Sequence, residues 1–376
     1  MTYHPAKELL SSLLAQVVHH DASDLHLRPG ALPKLRVGGV LTDLGSRVLS
    51  ADEVTDVIDA SMNDAVRQDY SECMEADYAI VDEASGRFRA NAFRTRGADA
   101  CVLRRVRDQA ASLAELDLPE AIRRLALRPR GLVLVTGPTG SGKSTTLAAM
   151  VDEINTERAV HILTLEDPIE VLHSDRRATI TQRELGTDTR DWSAALRSAM
   201  RQDPDVILIG ELRDAETVHA ALTAAETGHL VLGSMHTNDA RETIYRLIEF
   251  FPPDEQHRVR AVLAGSLEGV VCQRLVPRAD GVGRACVLEI AVLDARLSEA
   301  IADDDKTHDI PDILASGGYS GMQTFDQHLL MLIMEGVIDE AAAMAAASKP
   351  HDLSVMLRRA GWTRASATHG GVGHRA

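Results

Sequence analysis

The residues best suited to chemistry form an eight-residue loop at positions 137–144, with the sequence GPTGSGKS. This loop fits the phosphate-binding pattern G-x-x-x-x-G-K-[ST] at every fixed position. Glycines in such a loop let backbone N–H groups turn towards phosphate oxygens, and the helix that follows adds its dipole. We therefore predict a nucleotide site made of Gly137, Pro138, Thr139, Gly140, Ser141, Gly142, Lys143, Ser144 and Thr145.

Lys143 and Ser144 carry the side chains that a phosphate loop requires. A lysine at this position reaches the β- and γ-phosphates, and the hydroxyl that follows completes the ligand shell of a Mg²⁺ ion. Guanine nucleotides are usually recognised by an N-K-x-D element, and the sequence after residue 144 contains none. The predicted cofactors are therefore ATP and Mg²⁺.

Three more short apolar runs, each typical of a buried strand, lead into a reactive side chain: Glu166, Glu211 and His236. Ligands of open α/β sheets bind where the strands end. A carboxylate there can hold Mg²⁺ or accept a proton from attacking water, and a histidine can hydrogen-bond a γ-phosphate. Each residue alone is equally well explained as a turn carboxylate or a satisfied histidine. All three lie at the ends of predicted strands, as the phosphate loop does, and together they favour a functional site.

The composition indicates partners other than DNA or anionic lipid. The 376 residues include 40 basic and 56 acidic side chains, a formal net charge of −16, whereas both of those ligands require a basic surface. Only 3% of the residues are aromatic, which argues against a groove that stacks single-stranded bases. We predict no nucleic acid partner, with a hexameric nucleic-acid translocase as the alternative from another functional class.

The cysteines and the apolar runs predict a cytoplasmic protein. Cys73, Cys101, Cys272 and Cys286 form no C-x-x-C pair, so we interpret them as small buried hydrophobic residues. Cysteines that serve neither a disulfide nor a metal site are typical of a reducing compartment. No apolar run approaches the roughly 18 residues that a membrane span requires.

Hydrophobic periodicity divides the chain into two regions. An amphipathic helix at 9–18 precedes alternating strand patterns, and Gly38-Gly39 signals a two-residue hairpin. From about residue 118, short apolar strands at 132–136, 161–165, 206–209 and 229–233 alternate with helical segments, as in a sheet covered by helices. We predict a small α+β domain at 1–107, a linker at 108–118, an α/β core with C-terminal helices at 119–363 and a disordered tail at 364–376.

Several longer stretches resemble the secretion ATPases of type II secretion and type IV pili. The resemblance runs from about residue 7 to about residue 345. It is closest to the pilus retraction branch, the PilT/PilU family. The stretches that carry it are 22–27 (ASDLHL), 86–93 (GRFRANAF), 163–170 (LTLEDPIE), 182–184 (QRE), 201–214 (RQDPDVILIGELRD) and 224–230 (AAETGHL).

The resemblance implies a RecA-like P-loop ATPase core preceded by a small PAS-like domain, assembled as a homohexamer. By the same resemblance, Glu166 is the general base, Glu211 is the Walker-B carboxylate that holds the metal with Ser144, and His236 is the histidine of a conserved box. Arg89 and Arg104 match arginines that reach the phosphates from the N-terminal domain. The implied partner is an inner-membrane pilus platform protein, with the hexamer bound peripherally to that membrane at the pilus base.

Two features favour retraction over assembly within this family. Assembly and secretion ATPases usually carry an additional N-terminal domain and a four-cysteine zinc element, and this sequence matches neither.

Two stretches depart from the retraction pattern. The stretch 295–306 (ARLSEAIADDDK) differs from the retraction signature A-I-R-N-L-I-R-E-G-K, and 321–327 (GMQTFDQ) resembles PilU at least as well. We predict a retraction motor. One alternative is an accessory PilU-type ATPase that acts beside a paralogous motor, and the other is an assembly ATPase.

Overall fold

The computed structural model describes residues 5–362, so the predicted tail at 364–376 lies outside the described residues. The described chain divides into two compact units. One contains the residues up to Gln109 together with Glu170–Leu172, and the other contains Ala110–Ile169 and the residues from His173 onward. Most of the predicted linker, 108–118, is therefore grouped with the second unit. A backbone bridge between Val171 and Arg107 attaches residues 170–172 to the first unit.

The N-terminal unit combines helices with an antiparallel sheet. Its elements are α1 (Pro5–His19), β1 (Asp24–Leu27), β2 (Lys34–Val37), β3 (Val40–Asp43), α2 (Ala51–Ser61), α3 (Asp64–Cys73), β4 (Glu75–Asp82), β5 (Gly86–Thr95) and β6 (Ala98–Arg105). The six strands lie in the order β3-β2-β1-β6-β5-β4. The predicted hairpin joins β2 to β3 and pairs Val37 with Val40.

Alternation along β1 separates an apolar face from a polar one. Leu25 and Leu27 of β1 are buried with the apolar side of α1, whereas Asp24 and His26 point to the other face. Helix α2 begins at a capping box in which Ser50 and Glu53 exchange hydrogen bonds. These local signals produce the small α+β domain that the sequence predicts.

The second unit is an α/β core with additional C-terminal helices. Its elements are α4 (Glu120–Ala126), β7 (Gly131–Thr136), α5 (Lys143–Glu157), β8 (His161–Glu166), β9 (Thr179–Glu184), α6 (Trp192–Ala199), β10 (Val206–Ile209), α7 (Ala215–Glu226), β11 (Leu230–Met235), α8 (Ala240–Glu249), α9 (Pro253–Ser266), β12 (Leu267–Pro277), β13 (Arg284–Val292), α10 (Ala295–Ala302), α11 (Ile310–Ser316), α12 (Phe325–Met334), α13 (Glu340–Ala346) and α14 (Pro350–Arg359).

The core sheet has seven strands in the order β13-β12-β7-β11-β10-β8-β9, and only β13 runs antiparallel to its neighbour. Every residue of β7, β10 and β11 is buried. Successive residues of β7 enter two different hydrophobic clusters: Leu132 and Leu134 join one, and Val133 and Val135 join the other. Helices therefore cover both faces of the sheet, and the predicted fold class is confirmed.

The stretch 295–306, which departs from the retraction signature, forms α10 and the start of a 3₁₀ turn at Asp304–Asp309. One of its acidic residues, Asp304, has a partner on α9. The buried guanidinium of Arg260 bonds the Ile301 carbonyl oxygen at 3.2 Å and Thr307 Oγ1 at 3.1 Å, and it also contacts the Asp304 carboxylate. Asp304 therefore compensates a buried cation, whereas Glu299 and Asp303 contact Lys306.

The interpretation of all four cysteines as buried residues is wrong for one of them. Cys101 and Cys272 are buried and Cys286 is partly buried, but Cys73 is exposed at the end of α3. Helix α3 buries only Tyr70, and residues 71–73 at its end are exposed. Within the described part of the chain, no helix has the length and apolarity needed to cross a membrane.

Candidate nucleotide site

The phosphate loop joins the end of β7 to the start of α5, as the sequence predicts. Gly137 has a φ of +145°, and a Cβ at this position would lie 2.4 Å from the carbonyl oxygen of Gln273. Gly142 has a φ of +93° and is the N-cap of α5. Because a side chain is strained at such angles, the loop takes this shape only with glycine at these positions.

The polar groups of the loop fit a phosphate ligand. Lys143 Nζ donates to the carbonyl oxygens of Gly137 at 2.8 Å and Pro138 at 3.2 Å, so its ammonium lies across the loop. Residues 138–140 are exposed, and so are Ser144 and Thr145 in the first turn of α5. Ser141 Oγ is buried and has no hydrogen-bond partner within the described residues. A phosphate oxygen would satisfy that hydroxyl.

The other three predicted site residues follow neighbouring strands. β7, β11, β10 and β8 are parallel and adjacent in that order, so their carboxyl ends share one edge of the sheet. The phosphate loop follows β7, His236 follows β11, Glu211 lies just beyond β10, and Glu166 is the last residue of β8. One edge of the core sheet therefore carries every predicted site residue of this unit.

Glu211 and His236 are in direct contact, and we call them the Glu211–His236 pair. Nε2 of His236 lies 3.4 Å from Oε1 of Glu211. Oε2 of Glu211 contacts Nη2 of Arg213 at 2.8 Å, so both carboxylate oxygens face cationic or protonatable groups. The hydrogen bond from Ser234 Oγ to the Gly210 carbonyl oxygen, at 2.5 Å, fixes the two strand ends next to each other. The pair thus combines a carboxylate with a group that can donate a hydrogen bond.

Glu166 is positioned by two side chains that donate to the same oxygen. Thr164 Oγ1 donates to Glu166 Oε1 at 2.7 Å, and Gln182 Nε2 donates to it at 3.1 Å. The backbone N–H of Gly210 donates to the Leu165 carbonyl oxygen at 2.8 Å, which brings the Glu166 backbone beside the residue that precedes Glu211. Glu166 is partly exposed, as a residue that accepts a proton from water must be.

A cavity of about 610 Å³ adjoins the Glu211–His236 pair on the side of α8. Its volume lies within the roughly 300–1,000 Å³ of small-molecule sites. Charged side chains of both signs line it, including Arg241 and Glu242. The pair is therefore accessible from an open, polar space.

Arg89 and Arg104 lie next to each other in the N-terminal unit, on paired positions of β5 and β6. Arg104 Nε donates to Oδ1 of Asp24 at 2.8 Å, and its side chain is otherwise 68% exposed. Arg89 makes a looser contact of 3.9 Å with Asp77. Burial would raise the pKa of Asp24, but hydrogen bonds from Ser23 and Arg104 outweigh it and lower the pKa, so Asp24 holds Arg104 as a carboxylate.

Sequence reasoning did not select several residues that position the site. Arg213, Thr164 and Gln182 lie inside the stretches quoted for the resemblance, but no spacing rule marks them as contacts of Glu211 or Glu166. Gln273 lies far along the chain, and its Nε2 donates to Thr146 of α5 at 2.8 Å. Only the pairing of β12 with β7 brings it to the phosphate loop.

The chain matches the family of type II/IV secretion system proteins over residues 2–342. It is 43% identical over 344 residues to the type IV pilus retraction ATPase PilT of Pseudomonas aeruginosa, a match that covers 91% of this chain and 99% of that protein. It is 39% identical over 346 residues to the type IV pilus ATPase PilU of the same organism, with 92% and 90% coverage.

The chain belongs to the type II/IV secretion system protein family, in its PilT/PilU branch. It also matches a crystal structure of the pilus retraction motor PilT with bound ADP, at a TM-score of 0.86 and 39% identity, covering 92% of this chain and 99% of that one. As a member of this ATPase branch, the chain is a nucleotide-binding ATPase with a RecA-like core.

Proposed function

We propose that this PilT/PilU-branch ATPase hydrolyses ATP to retract type IV pili. One observation carries the proposal: a phosphate loop and the Glu211–His236 pair share one sheet edge in a chain that matches PilT over nearly its whole length. The site at this sheet edge supports the chemistry of nucleotide hydrolysis. The match to PilT supports pilus retraction as the mechanical task.

The phosphate loop is proposed to cradle the nucleotide through backbone N–H groups and Lys143, with Ser144 and Glu211 as oxygen donors to Mg²⁺. Mg²⁺ is usually bound by one or two such donors together with the phosphates of the substrate, so a hydroxyl and a carboxylate fit it. When bound, Mg²⁺ neutralises charge on the phosphates. Lys143 moves from the loop carbonyl oxygens to phosphate oxygens, which offer a stronger, charge-assisted contact.

Glu166 is the proposed general base. Its position beside Gly210 and its two donors, Thr164 and Gln182, orient one carboxylate oxygen and support this role. His236 is proposed to donate a hydrogen bond to the γ-phosphate and to return to Glu211 once that phosphate has gone. The proposed function of Arg89 and Arg104 is to contact the phosphates from the N-terminal unit, which makes closure depend on the nucleotide.

The proposed assembly is a homohexamer that binds an inner-membrane pilus platform protein at the cytoplasmic base of the pilus. Closure of six nucleotide clefts in turn would displace the platform protein and withdraw pilin subunits. A paralogous retraction ATPase is a further proposed partner. The 39% identity to PilU over 92% of the chain supports the accessory PilU-type motor as the second candidate function.

Deletion of the gene in the organism that encodes it tests the proposal. We expect surface pili to persist or increase while twitching motility falls, because assembly continues without withdrawal. Cells without pili would instead show an assembly motor and contradict the proposal. Pili that still retract, but with reduced force and only when a second retraction ATPase is present, would identify the accessory motor.

A further inference from the structure

One glutamine side chain on β9 bonds a site residue with one end of its amide and the backbone with the other. Nε2 of Gln182 donates to Oε1 of Glu166 at 3.1 Å, and Oε1 of Gln182 accepts from the backbone N–H of His173 at 2.9 Å. Gln182 is paired in register with Thr164, which donates to the same oxygen of Glu166 at 2.7 Å. Gln182 therefore joins the proposed base to the backbone at residue 173.

The two bonds of Gln182 require an amide side chain. A carboxylate oxygen accepts and a backbone N–H donates, so the residue between them must offer one donor and one acceptor. A glutamate would face the Glu166 carboxylate with a second carboxylate, and a lysine would have no acceptor for the His173 N–H. A packing role alone requires neither bond, so the matched partners at both ends of the amide favour a role in positioning.

His173 is where the chain leaves a short segment that belongs to the N-terminal unit. Residues 170–172 group with that unit, and the residues on either side of them group with the core. The Leu172 N–H donates to the Arg107 carbonyl oxygen at 2.9 Å. Arg107 lies just beyond β6, the strand that carries Arg104. The segment is thus bonded to the backbone that directly follows a strand of the N-terminal unit.

Side chains of β9 hold the core residue at each end of this segment. Glu184 Oε2 accepts from the buried N–H of Ile169 at 3.0 Å, just before the segment, and Gln182 accepts from His173, just after it. Gln182 extends this attachment to Oε1 of Glu166. A displacement of the backbone at residue 173 must therefore break one of the two Gln182 bonds or shift the carboxylate.

We propose that Gln182 is a positioning residue that orients the Glu166 carboxylate from the backbone at His173. The inference rests on the proposed role of Glu166 as general base. Through Gln182, the attachment of residues 170–172 to the N-terminal unit reaches the carboxylate that accepts a proton from water. A general base must lie within hydrogen-bond reach of that proton, so a loss of orientation lowers the rate of hydrolysis more than the affinity for nucleotide. Gln182 acts through Glu166 and is not itself a catalytic residue.

Two substitutions in the full-length protein separate the two bonds. Gln182→Met has a similar length and removes both bonds, whereas Gln182→Glu keeps an oxygen for the His173 N–H but places a second carboxylate against Glu166. We expect each to lower kcat for ATP hydrolysis roughly 3- to 30-fold, the range for residues that modulate coupling between sites, with KM for ATP nearly unchanged. Gln68→Met and Gln68→Glu, at an exposed glutamine of α3, are the matched controls and should leave kcat unchanged.

A double-mutant cycle with Glu166 distinguishes positioning from a structural effect. In the Glu166→Gln background, Gln182→Met should lower the single-turnover rate no further, because the base on which Gln182 acts is already absent. Equal losses with and without Glu166 would overturn the inference, and so would an unchanged kcat in Gln182→Met. Both results would leave the ATPase assignment intact.

Hydrogen exchange at the His173 amide is a readout that does not depend on activity. Exchange should be roughly two- to tenfold faster in Gln182→Met, as expected for the loss of one hydrogen bond, and unchanged in Gln182→Glu, which keeps the acceptor. Equal exchange in wild type and Gln182→Met would overturn the inference. If the wild-type protein hydrolyses no ATP, the proposed function fails, and exchange at His173 still decides whether Gln182 holds this backbone.

Discussion

His236 Nε2 lies 3.4 Å from Oε1 of Glu211, across the ends of two adjacent parallel strands. The contact places the proposed metal-side carboxylate against the proposed γ-phosphate sensor. Arg213 contacts the other oxygen of Glu211, so the carboxylate would keep that partner if His236 moved away from it. This exchange is the local event by which the proposed site would distinguish ATP from ADP.

Lys143→Ala and Glu211→Gln should each lower ATP turnover by at least ~10²-fold, because each removes a positioned group that stabilises charge during hydrolysis. The measurement is steady-state phosphate release by the purified protein with saturating MgATP. Lys7→Ala, an exposed change on α1, is the control and should hydrolyse ATP normally. Normal turnover in Lys143→Ala would eliminate the phosphate loop as the site of hydrolysis.

Gly137→Ala should abolish nucleotide binding, because the new Cβ would meet the Gln273 carbonyl oxygen 2.4 Å away and distort the loop. Gly336→Ala is the matched control, since Gly336 also has positive φ, +73°, but no atom lies within 4 Å of its added Cβ. Gly336 lies close to the left-handed helical region, where a side chain costs roughly 1–2 kcal/mol, whereas Gly137, with a φ of +145°, lies outside that region and also has the collision. Binding of a fluorescent ATP analogue distinguishes them. Equal affinities would mean that the loop does not hold the phosphates.

Arg104→Ala should lower both turnover and stability. The loss of stability should be about 1 kcal/mol, because Asp24 is 3% exposed and would lose its 2.8 Å contact with Arg104 while keeping the Ser23 hydrogen bond and the 3.8 Å contact with Arg36. Arg89→Ala should lower turnover alone, since its 3.9 Å contact with Asp77 is exposed and contributes little. Urea unfolding and phosphate release measure the two effects, with exposed Arg28→Ala as control. Unchanged turnover in both variants would exclude the N-terminal arginines from the mechanism.

The stability of the core should depend on Glu289 between about pH 4.5 and pH 7. Burial raises its pKa from 4.5 to about 7, so in this window the folded state holds a proton that the unfolded state has lost. Wild type should therefore lose stability relative to Glu289→Gln as the pH rises, by at most about 1.4 kcal/mol per pH unit, and the difference should level off above pH 7. Urea midpoints at pH 5, 6 and 7 measure it. Parallel pH curves would show that this carboxyl is not perturbed.

Local sequence signals were sufficient for the elements that position the site. Short, mainly apolar runs predicted β7, β8, β10 and β11, because a strand covered on both faces lacks the polar alternation of a surface strand. The phosphate loop was identified from its glycines and lysine. Glu211 and His236 were selected because they lie just beyond strand ends, and their contact follows from the adjacency of those strands.

Contacts between distant parts of the chain could not be predicted in the same way. β12 continues directly from α9, and its pairing with β7 depends on tertiary packing that one sequence does not encode locally. Gln273 reaches Thr146 of α5 through that pairing. Asp24 lies in a recognisable motif, but its bond to Arg104 depends on the register of β1 against β6. Element type is local information, whereas register is not.

The central claim, that ATP hydrolysis by this chain withdraws pili, is tested most directly in living cells that carry Lys143→Ala at the native locus. Labelled pili are followed by fluorescence microscopy, and retraction events are counted per cell. The account predicts that pili extend normally and that retraction is lost, while the same cells with Lys7→Ala retract as wild type does. Retraction at the wild-type frequency in the Lys143→Ala cells, with no other retraction ATPase present, would contradict it.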